Sequence, residues 1–170
     1  MNQSPRVFVS HSSASIMEAD GFRRLANRHR GKPAPQIFLS GDSASIPSGA
    51  LWLNSIMSAL NSCTHFAALI VKKEDFQNPW ILFEIAFAMG RGLKPKVFVF
   101  GQLSPGAMPM PLGAVHLIDT GNTDRWRSDL VDIGLGDPEK FHEDFAHLFR
   151  QCHHYRQQPF PVGFCDGVRL

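Results

Sequence analysis

Cysteine is scarce in this 170-residue chain, and its three copies are far apart. Cys63, Cys152 and Cys165 are odd in number and lack the close spacings of a disulfide framework or a zinc site. The sequence therefore argues against a disulfide-stabilised scaffold and against a structural metal centre. We expect a reducing, cytoplasmic environment and no bound metal.

Long apolar runs and an excess of charge of one sign are also missing. The run at residues 66–71 is far shorter than the roughly 20 residues that cross a bilayer, and Glu84 interrupts the only longer one. The first predicted strand begins at Arg6, so we expect no signal peptide and no membrane segment. A formal net charge of +2 gives no reason to expect nucleic acid or an anionic membrane as a partner.

A predicted helix from Asn78 to Gly90 carries one unusual residue. The helix is apolar almost all round, yet it holds a single carboxylate, Glu84, near its middle. Asn78 suits the N-cap, and Pro79 suits the first turn because its missing N–H group would have no partner there. Trp80 precedes Glu84 by four residues, so both side chains project from one face of the helix. A carboxylate desolvated in this way is paired, exposed at a cleft or kept for chemistry. The alternative is a core tryptophan and a glutamate that faces solvent.

Strands and helices alternate along the chain. Short β-rich or continuous apolar runs predict strands at residues 6–10, 36–40, 66–71, 96–100 and 115–119. Helical spacing of apolar residues predicts helices near residues 20–30, from the end of a loop at 41–49 to about residue 61, at 79–90 and at 137–150. The second helix is expected to bury Leu53, Ile56, Met57 and Leu60. Trp52 is expected to pack beneath the preceding loop, and contact with a ligand is the alternative. This alternation is typical of an α/β fold with a parallel, doubly wound sheet.

Three segments would then meet at one edge of the sheet. Ligands of open parallel sheets bind outside the carboxyl ends of the strands, near the point where the strand order reverses. Residues 10–13, 40–48 and 72–78 emerge at that edge and would converge on Glu84. The serines and glycines of the first two segments could hold a phosphate or a ribose through N–H groups and hydroxyls. The second segment is equally compatible with a surface loop in which Ser48 caps the following helix.

Three motifs, in this order along the chain, resemble a known family. The first is a strand that ends in a serine-rich turn, VFVSHSS, at residues 7–13. The second is a strand and loop, IFLSGDSASIPSG, at residues 37–49, and the third is a W-x-x-x-E pattern from Trp80 to Glu84. Together they resemble the Toll/interleukin-1 receptor (TIR) domain, in particular the bacterial TIR domains that cleave NAD+. The resemblance spans residues 6–150.

The resemblance implies a fold and a set of site residues. The fold would be the flavodoxin-like, doubly wound, five-stranded parallel sheet of TIR domains. Glu84 would be the catalytic residue, and Trp80 would form a wall of the substrate site. The other substrate contacts would be Ser10, His11 and Ser12, for the ribose or diphosphate, and Asp42 and Ser43, as a gate over the site. His11 is equally compatible with a loop histidine that bonds to the backbone.

Substrate and partners also follow from the resemblance. NAD+ would be the substrate, no cofactor would be needed, and the product would be linear, cyclic or conjugated ADP-ribose. The active form would be a homo-oligomer, or an assembly with other TIR domains, formed in response to an activating or effector protein. Its contacts would involve the loop residues Ile46, Pro47 and Ser48. Bacterial TIR domains of this type imply a role in antiviral defence.

The carboxyl-terminal residues lie beyond the resemblance. Residues 1–150 are assigned to the TIR-like domain, and residues 151–170 to an irregular extension that packs on the domain or straps it, because prolines and glycines are frequent there. Cys152 and His153, with other histidines nearby, superficially suggest a metal site. They are adjacent rather than separated by a chelating gap, so a solvated helix end fits them better.

Two other functions remain open. A nucleoside 2-deoxyribosyltransferase-like enzyme also breaks an N-glycosidic bond and has a similar glutamate helix, here residues 83–88, followed by Lys94 and Pro95. It has no counterpart of the loop at residues 40–49. A non-catalytic TIR adaptor would only assemble with other TIR domains, and it would have no need of a buried acid.

Self-association is expected to switch the activity on. The loop at residues 41–49 could dock against the Glu84 cleft of a neighbouring copy, and such a heterologous contact propagates unless its rotation closes a ring. Specific activity towards NAD+ should therefore rise steeply with protein concentration, and Pro47→Asp should suppress this rise. Activity assays paired with light scattering measure both effects. Constant specific activity in a strictly monomeric sample, unchanged by Pro47→Asp, contradicts this expectation.

Overall fold

A five-stranded parallel sheet forms the centre of the fold. The computed structural model describes residues 4–40, 52–100, 112–115, 117–119 and 123–157. Its strands are β1 (Arg6–Ser10), β2 (Gln36–Leu39), β3 (His65–Ile70), β4 (Lys96–Val99) and β5 (Leu117–Asp119). They pair in the order β2-β1-β3-β4-β5, all parallel. The order reverses at β1, which has β2 on one side and β3 on the other. The predicted flavodoxin-like, doubly wound architecture is therefore confirmed.

Helices cover both faces of this sheet. Within the described ranges these are α1 (Ile16–Arg28), α2 (Trp52–Ser62), α3 (Pro79–Gly90), α4 (Thr123–Asp132) and α5 (Pro138–Gln157). Single 3-10 turns at Ser13–Ser15 and Lys73–Gln77 lead into α1 and α3. No helix of the described part of the chain has both the length and the apolar character to span a bilayer.

Successive strand residues enter two separate cores. Val7 and Val9 of β1 belong to a cluster with α1, α4 and α5, whose largest members include Phe22 and Trp126. Phe8, between those two valines, belongs to the opposite cluster with α2 and α3. Because both faces are covered, the central strands are apolar without alternation, as the sequence of β3 shows.

Two elements coincide with their predicted bounds, β1 and α3. In contrast, α1 begins at Ile16, four residues before the predicted start. Ile16 and Met17 are both exposed, at 39% and 51%. The first two residues of the helix therefore lie outside the buried stripe, which begins with Glu18 and Ala19.

The sequence did not predict α4. Its composition is mostly polar, and only Trp126 and Leu130 are buried among its side chains that the structure describes. The Lys96 ammonium at the start of β4 contacts Asp129 at 2.6 Å and Asp132 at 2.9 Å, which fastens α4 to the sheet. Two inward residues four positions apart are too weak a pattern to distinguish a helix from a polar loop.

At its other end, α5 runs seven residues beyond the predicted stop, to Gln157. Residues 151–157 are therefore helical, and the prediction that the irregular extension begins at residue 151 is wrong. The sequence has no glycine or proline between Pro138 and Pro159, so nothing in it stops the helix earlier. Residues 158–170 lie outside the described part of the chain.

The predicted inward stripe of α2 is correct only in part. Ile56 and Leu60 are fully buried and Met57 is partly buried, but Leu53 is 46% exposed. The first turn of α2 also exposes Trp52. This end of the helix therefore extends beyond the core that covers the strands.

Asp75 anchors the turn between β3 and α3, and its loss should destabilise the fold. The carboxylate is 3% exposed and accepts the N–H groups of Val71 at 2.9 Å and Lys72 at 3.0 Å. Asp75→Ala leaves both donors without this acceptor, so we expect the free energy of unfolding to fall by about 2–4 kcal/mol. Asp75→Asn keeps one side-chain oxygen and should lose less. Urea unfolding of the three proteins is the measurement, and a loss below about 0.5 kcal/mol for the alanine variant contradicts this role.

Candidate functional site

A pocket lies at the edge of the sheet where the parallel strands end. Its volume is about 300 Å³. It is close to the reversal of strand order at β1, where open parallel sheets bind ligands. The described residues that line it come from the turn after β1, the position after β2, the first residues of α1 and α2, and the cap and first two turns of α3: His11, Ser12, Ser13, Ile16, Ser40, Trp52, Asn78, Trp80 and Glu84.

Glu84 is the buried acid of this pocket. Its side chain is 2% exposed, and its Oε2 accepts a hydrogen bond from the Ser10 hydroxyl at 2.5 Å. The Ser40 hydroxyl lies near the carboxylate and favours its charged form, and its oxygen accepts the His11 N–H group at 3.3 Å. Burial raises the pKa of Glu84 from 4.5 to about 7, although the two hydroxyls act in the opposite direction. Desolvation therefore dominates, and the carboxyl group changes its charge near neutral pH.

The local sequence explains why Glu84 is buried at this point. Asn78 caps α3 by accepting the N–H groups of Trp80 at 3.0 Å and Ile81 at 3.4 Å. Ile81, Ile85 and Ala88 bury the face of α3 that packs on the sheet. Glu84 lies between them along the helix and is carried to the ends of β1 and β2. The predicted proximity of Trp80 and Glu84 is confirmed, because both line the same pocket.

The exposures of Trp80 and Glu84 exclude the alternative arrangement of this helix. A core tryptophan with a solvent-facing glutamate would reverse the observed exposures, since Trp80 is 43% exposed and Glu84 only 2%. The acid is thus buried and the indole is open to solvent at the pocket.

Ser10, His11 and Ser12 are brought to the site, but they have different surroundings. Ser10 is fully buried behind the acid and does not line the pocket, so its hydroxyl serves Glu84 rather than a ligand. His11 Nδ1 lies 2.9 Å from the backbone carbonyl of Ser12. A carbonyl only accepts, so this ring nitrogen carries the hydrogen. The expected backbone bond of His11 is present, and the ring lines the pocket as well.

A chain of polar contacts holds the Ser12 turn in place. Ser12 Oγ lies 3.0 Å from Ser15 Oγ, and Ser15 Oγ donates to Asp75 at 3.4 Å. Both serines are buried. The turn after β1 is thereby connected to the turn after β3, and the two meet at the pocket.

Sequence reasoning missed two residues of the pocket. Ser40 was placed at the correct edge of the sheet but was not selected as a site residue, although its position after β2 matches that of Ser10 at the end of β1. Trp52 was predicted to pack beneath the loop at residues 41–49, which lies outside the described part of the chain, and contact with a ligand was the alternative. Trp52 is 41% exposed, lines the pocket, and meets Trp80 with ring centroids 4.6 Å apart at 88°.

The remaining predicted site residues lie outside the described part of the chain. These are the gate residues Asp42 and Ser43 and the oligomer loop residues Ile46, Pro47 and Ser48. Their roles stay predictions.

Two histidines of α5, His142 and His147, take part in ordinary contacts. His142 lies edge-on to Trp126 with ring centroids 4.9 Å apart, and His147 bonds to Gln151 at 3.0 Å. Across the described ranges, no group of three or more His, Cys, Asp or Glu side chains could hold a metal ion.

Compared with models of known protein families and with curated proteins, the chain matches none. Function must therefore be inferred from the pocket and its residues.

Glu84 should make the stability of the protein depend on pH. A folded-state pKa above the unfolded value means that Glu84 contributes stability below about pH 4.5, which is lost as the pH rises through about 7. The difference amounts to up to about 3 kcal/mol. Glu84→Gln removes this dependence, because the amide stays neutral, and should be the more stable protein above pH 7.

Urea unfolding across this pH range measures the effect. Glu74→Gln is the matched control. Glu74 is exposed and lies in the 3-10 turn that precedes α3, so the same substitution is made close to Glu84 in sequence but in water. It should leave the pH profile of the parent unchanged. If Glu84→Gln and the parent lose stability in parallel between pH 4.5 and 7, the carboxyl group of Glu84 is not the source of the dependence.

Proposed function

We propose that this chain is a TIR-like NAD+ nucleosidase that cleaves the bond between nicotinamide and ribose. The observation that carries the proposal is a single buried carboxylate, Glu84, at a pocket walled by the indoles of Trp52 and Trp80. A strongly perturbed acid in a cleft is a candidate for chemistry on physical grounds. The resemblance of the motifs to NAD-cleaving TIR domains supports the same reaction.

One carboxylate is enough for this substrate. Ordinary glycosidases need an acid to protonate the leaving oxygen and a second carboxylate as nucleophile or base. The nicotinamide of NAD+ leaves from a pyridinium ring that is already cationic, so no acid is required. This agrees with the pocket, where Glu84 is the only Asp or Glu among the described lining residues.

The reaction follows from this arrangement. The N-glycosidic bond breaks, its electron pair returns to the ring nitrogen, and neutral nicotinamide leaves. Positive charge develops on the ribose, and the Glu84 carboxylate stabilises it. Water then attacks the anomeric carbon and releases a proton, which a carboxylate with a pKa of about 7 accepts readily. Attack by another nucleophile instead of water gives the cyclic or conjugated product.

Substrate binding itself would favour the reactive form of Glu84. Without substrate the acid changes its charge near neutral pH, because burial raises its pKa to about 7. A pyridinium cation beside it favours the charged form and lowers the pKa. The carboxylate form of Glu84 would thus be most populated when the cationic substrate is bound.

The pocket suits one end of the dinucleotide. At about 300 Å³ it is at the lower limit for ligand pockets. It would receive the nicotinamide and its ribose against Trp80, His11 and Ser12. The proposed gate residues Asp42 and Ser43 would close over this end.

In the cell, such an enzyme would consume NAD+ or produce a nucleotide signal. We place it in the cytoplasm, as part of bacterial antiviral defence, with assembly into a homo-oligomer or with other TIR domains as its switch. An activating or effector protein would begin that assembly.

The proposed reaction depends on the charge of Glu84, and substitution tests this directly. Glu84→Gln keeps the size of the side chain but loses the anion, so we expect NAD+ cleavage to fall about a hundredfold or more. For the parent, kcat/KM should rise about tenfold per pH unit below 7 and level off above it, because the ionised acid is the active form. Both measurements use purified protein without added metal, with products identified by mass spectrometry.

Two outcomes would contradict the proposal. One is undiminished NAD+ cleavage by Glu84→Gln, which would make the acid structural. The other is transfer of deoxyribose between bases with no loss of NAD+, which would favour a nucleoside deoxyribosyltransferase. Glu74→Gln again serves as the control and should retain the parent's activity.

A further inference from the structure

Two half-exposed tryptophans meet at the mouth of the pocket. Trp52 begins α2 and Trp80 lies in the first turn of α3, and their rings are almost perpendicular, at 88°. Each remains about two-fifths exposed, although burying an indole is strongly favourable. The open ring surfaces are therefore available to a ligand, and they form an aromatic corner made of Trp52 and Trp80.

The charge of the pocket indicates which ligand this corner would accept. Its described lining includes the acid Glu84 but no lysine or arginine. An anionic ring would be repelled by the carboxylate and would meet no lysine or arginine there, and His11 is the one other titratable side chain of the described lining. A cation is attracted by the carboxylate and also by the negative faces of the indoles.

The shape of the aromatic corner also favours a ligand with a flat ring. A flat ring that stacks on one indole meets the other at a right angle, so its orientation is fixed as well as its position. Aliphatic ammonium groups can occupy a cation site of this kind, but they cannot use both ring surfaces in this way.

We propose that Trp52 is a specificity-determining residue, which forms with Trp80 an aromatic corner that selects a flat organic cation beside Glu84. The inference rests on the proposed function in one respect, because it identifies the cation as the pyridinium ring of the substrate. The selection of flat cations is a binding property and does not require cleavage.

The neighbouring residue Phe83 allows a ligand-binding role of Trp52 to be distinguished from a general apolar docking surface. Phe83 is 41% exposed and contacts Trp80 with ring centroids 5.8 Å apart, but it does not line the pocket. An exposed patch that docks another protein would use Phe83 and Trp52 alike. A ligand corner uses Trp52 and not Phe83.

The test compares binding of two small probes by titration calorimetry. 1-Methylnicotinamide is a flat pyridinium cation, and nicotinamide is its neutral counterpart. At a pH above the value of about 7 at which Glu84 ionises, the parent should bind the cation at least tenfold more tightly. Trp52→Leu should weaken cation binding about five- to thirtyfold, whereas Trp52→Phe should recover part of it. Phe83→Leu is the matched control and should bind both probes like the parent.

The outcomes separate this inference from the proposed function. If Trp52→Leu binds 1-methylnicotinamide as tightly as the parent and cleaves NAD+ with the same KM, the role of Trp52 is wrong while the nucleosidase stands. If the probe results hold but neither the parent nor any variant cleaves NAD+, even at protein concentrations at which light scattering shows assembly, the nucleosidase is wrong and the pocket serves another flat cation. Equal losses in Trp52→Leu and Phe83→Leu, or equal binding of the two probes by the parent, overturn the inference. Circular dichroism of each variant checks the fold, which substitutions at these exposed positions should preserve.

Discussion

The burial of one carboxylate is the constraint on which the site depends. Glu84 is almost completely removed from water, and the Ser10 and Ser40 hydroxyls replace only part of its hydration. The remaining desolvation sets its pKa near 7. Three parts of the fold contribute to this state: α3 supplies an apolar setting, and Ser10 at the end of β1 and Ser40 directly after β2 lie beside the acid.

A second buried carboxylate at the same edge shows how surroundings determine the role of an acid. Asp75 accepts two backbone N–H groups and a serine hydroxyl, so its oxygens hold the turn that leads into α3. Glu84 has hydroxyl partners and an adjoining pocket instead. The first arrangement uses the charge for structure, whereas the second leaves a poorly solvated charge beside a space that a ligand can enter. A site like that of Glu84 lowers the stability of the fold when its acid is ionised. Loss of stability at a functional site is a common trade-off in enzymes.

Elements with strong local sequence signals were predicted correctly, whereas elements with weak signals were missed. The bounds of α3 were predictable because Asn78, Pro79 and Gly90 act within the helix itself. In contrast, α4 was missed because burial of Trp126 and Leu130 becomes evident only when the helix lies on the sheet beside α5. Similarly, the exposure of Leu53 depends on how far α2 extends beyond the core, which helical spacing cannot express.

From the amino-acid sequence alone one can infer that Glu84 is out of place on an apolar helix, that Trp80 accompanies it, and that strands and helices alternate in a parallel sheet. These follow from the spacing of neighbouring residues. Only the three-dimensional arrangement brings Ser10, 74 positions earlier, into a hydrogen bond with Glu84, places Ser40 beside the same acid, and sets Trp52 against Trp80. Such contacts join distant segments, and their geometry depends on sheet order and helix placement, which no local pattern encodes.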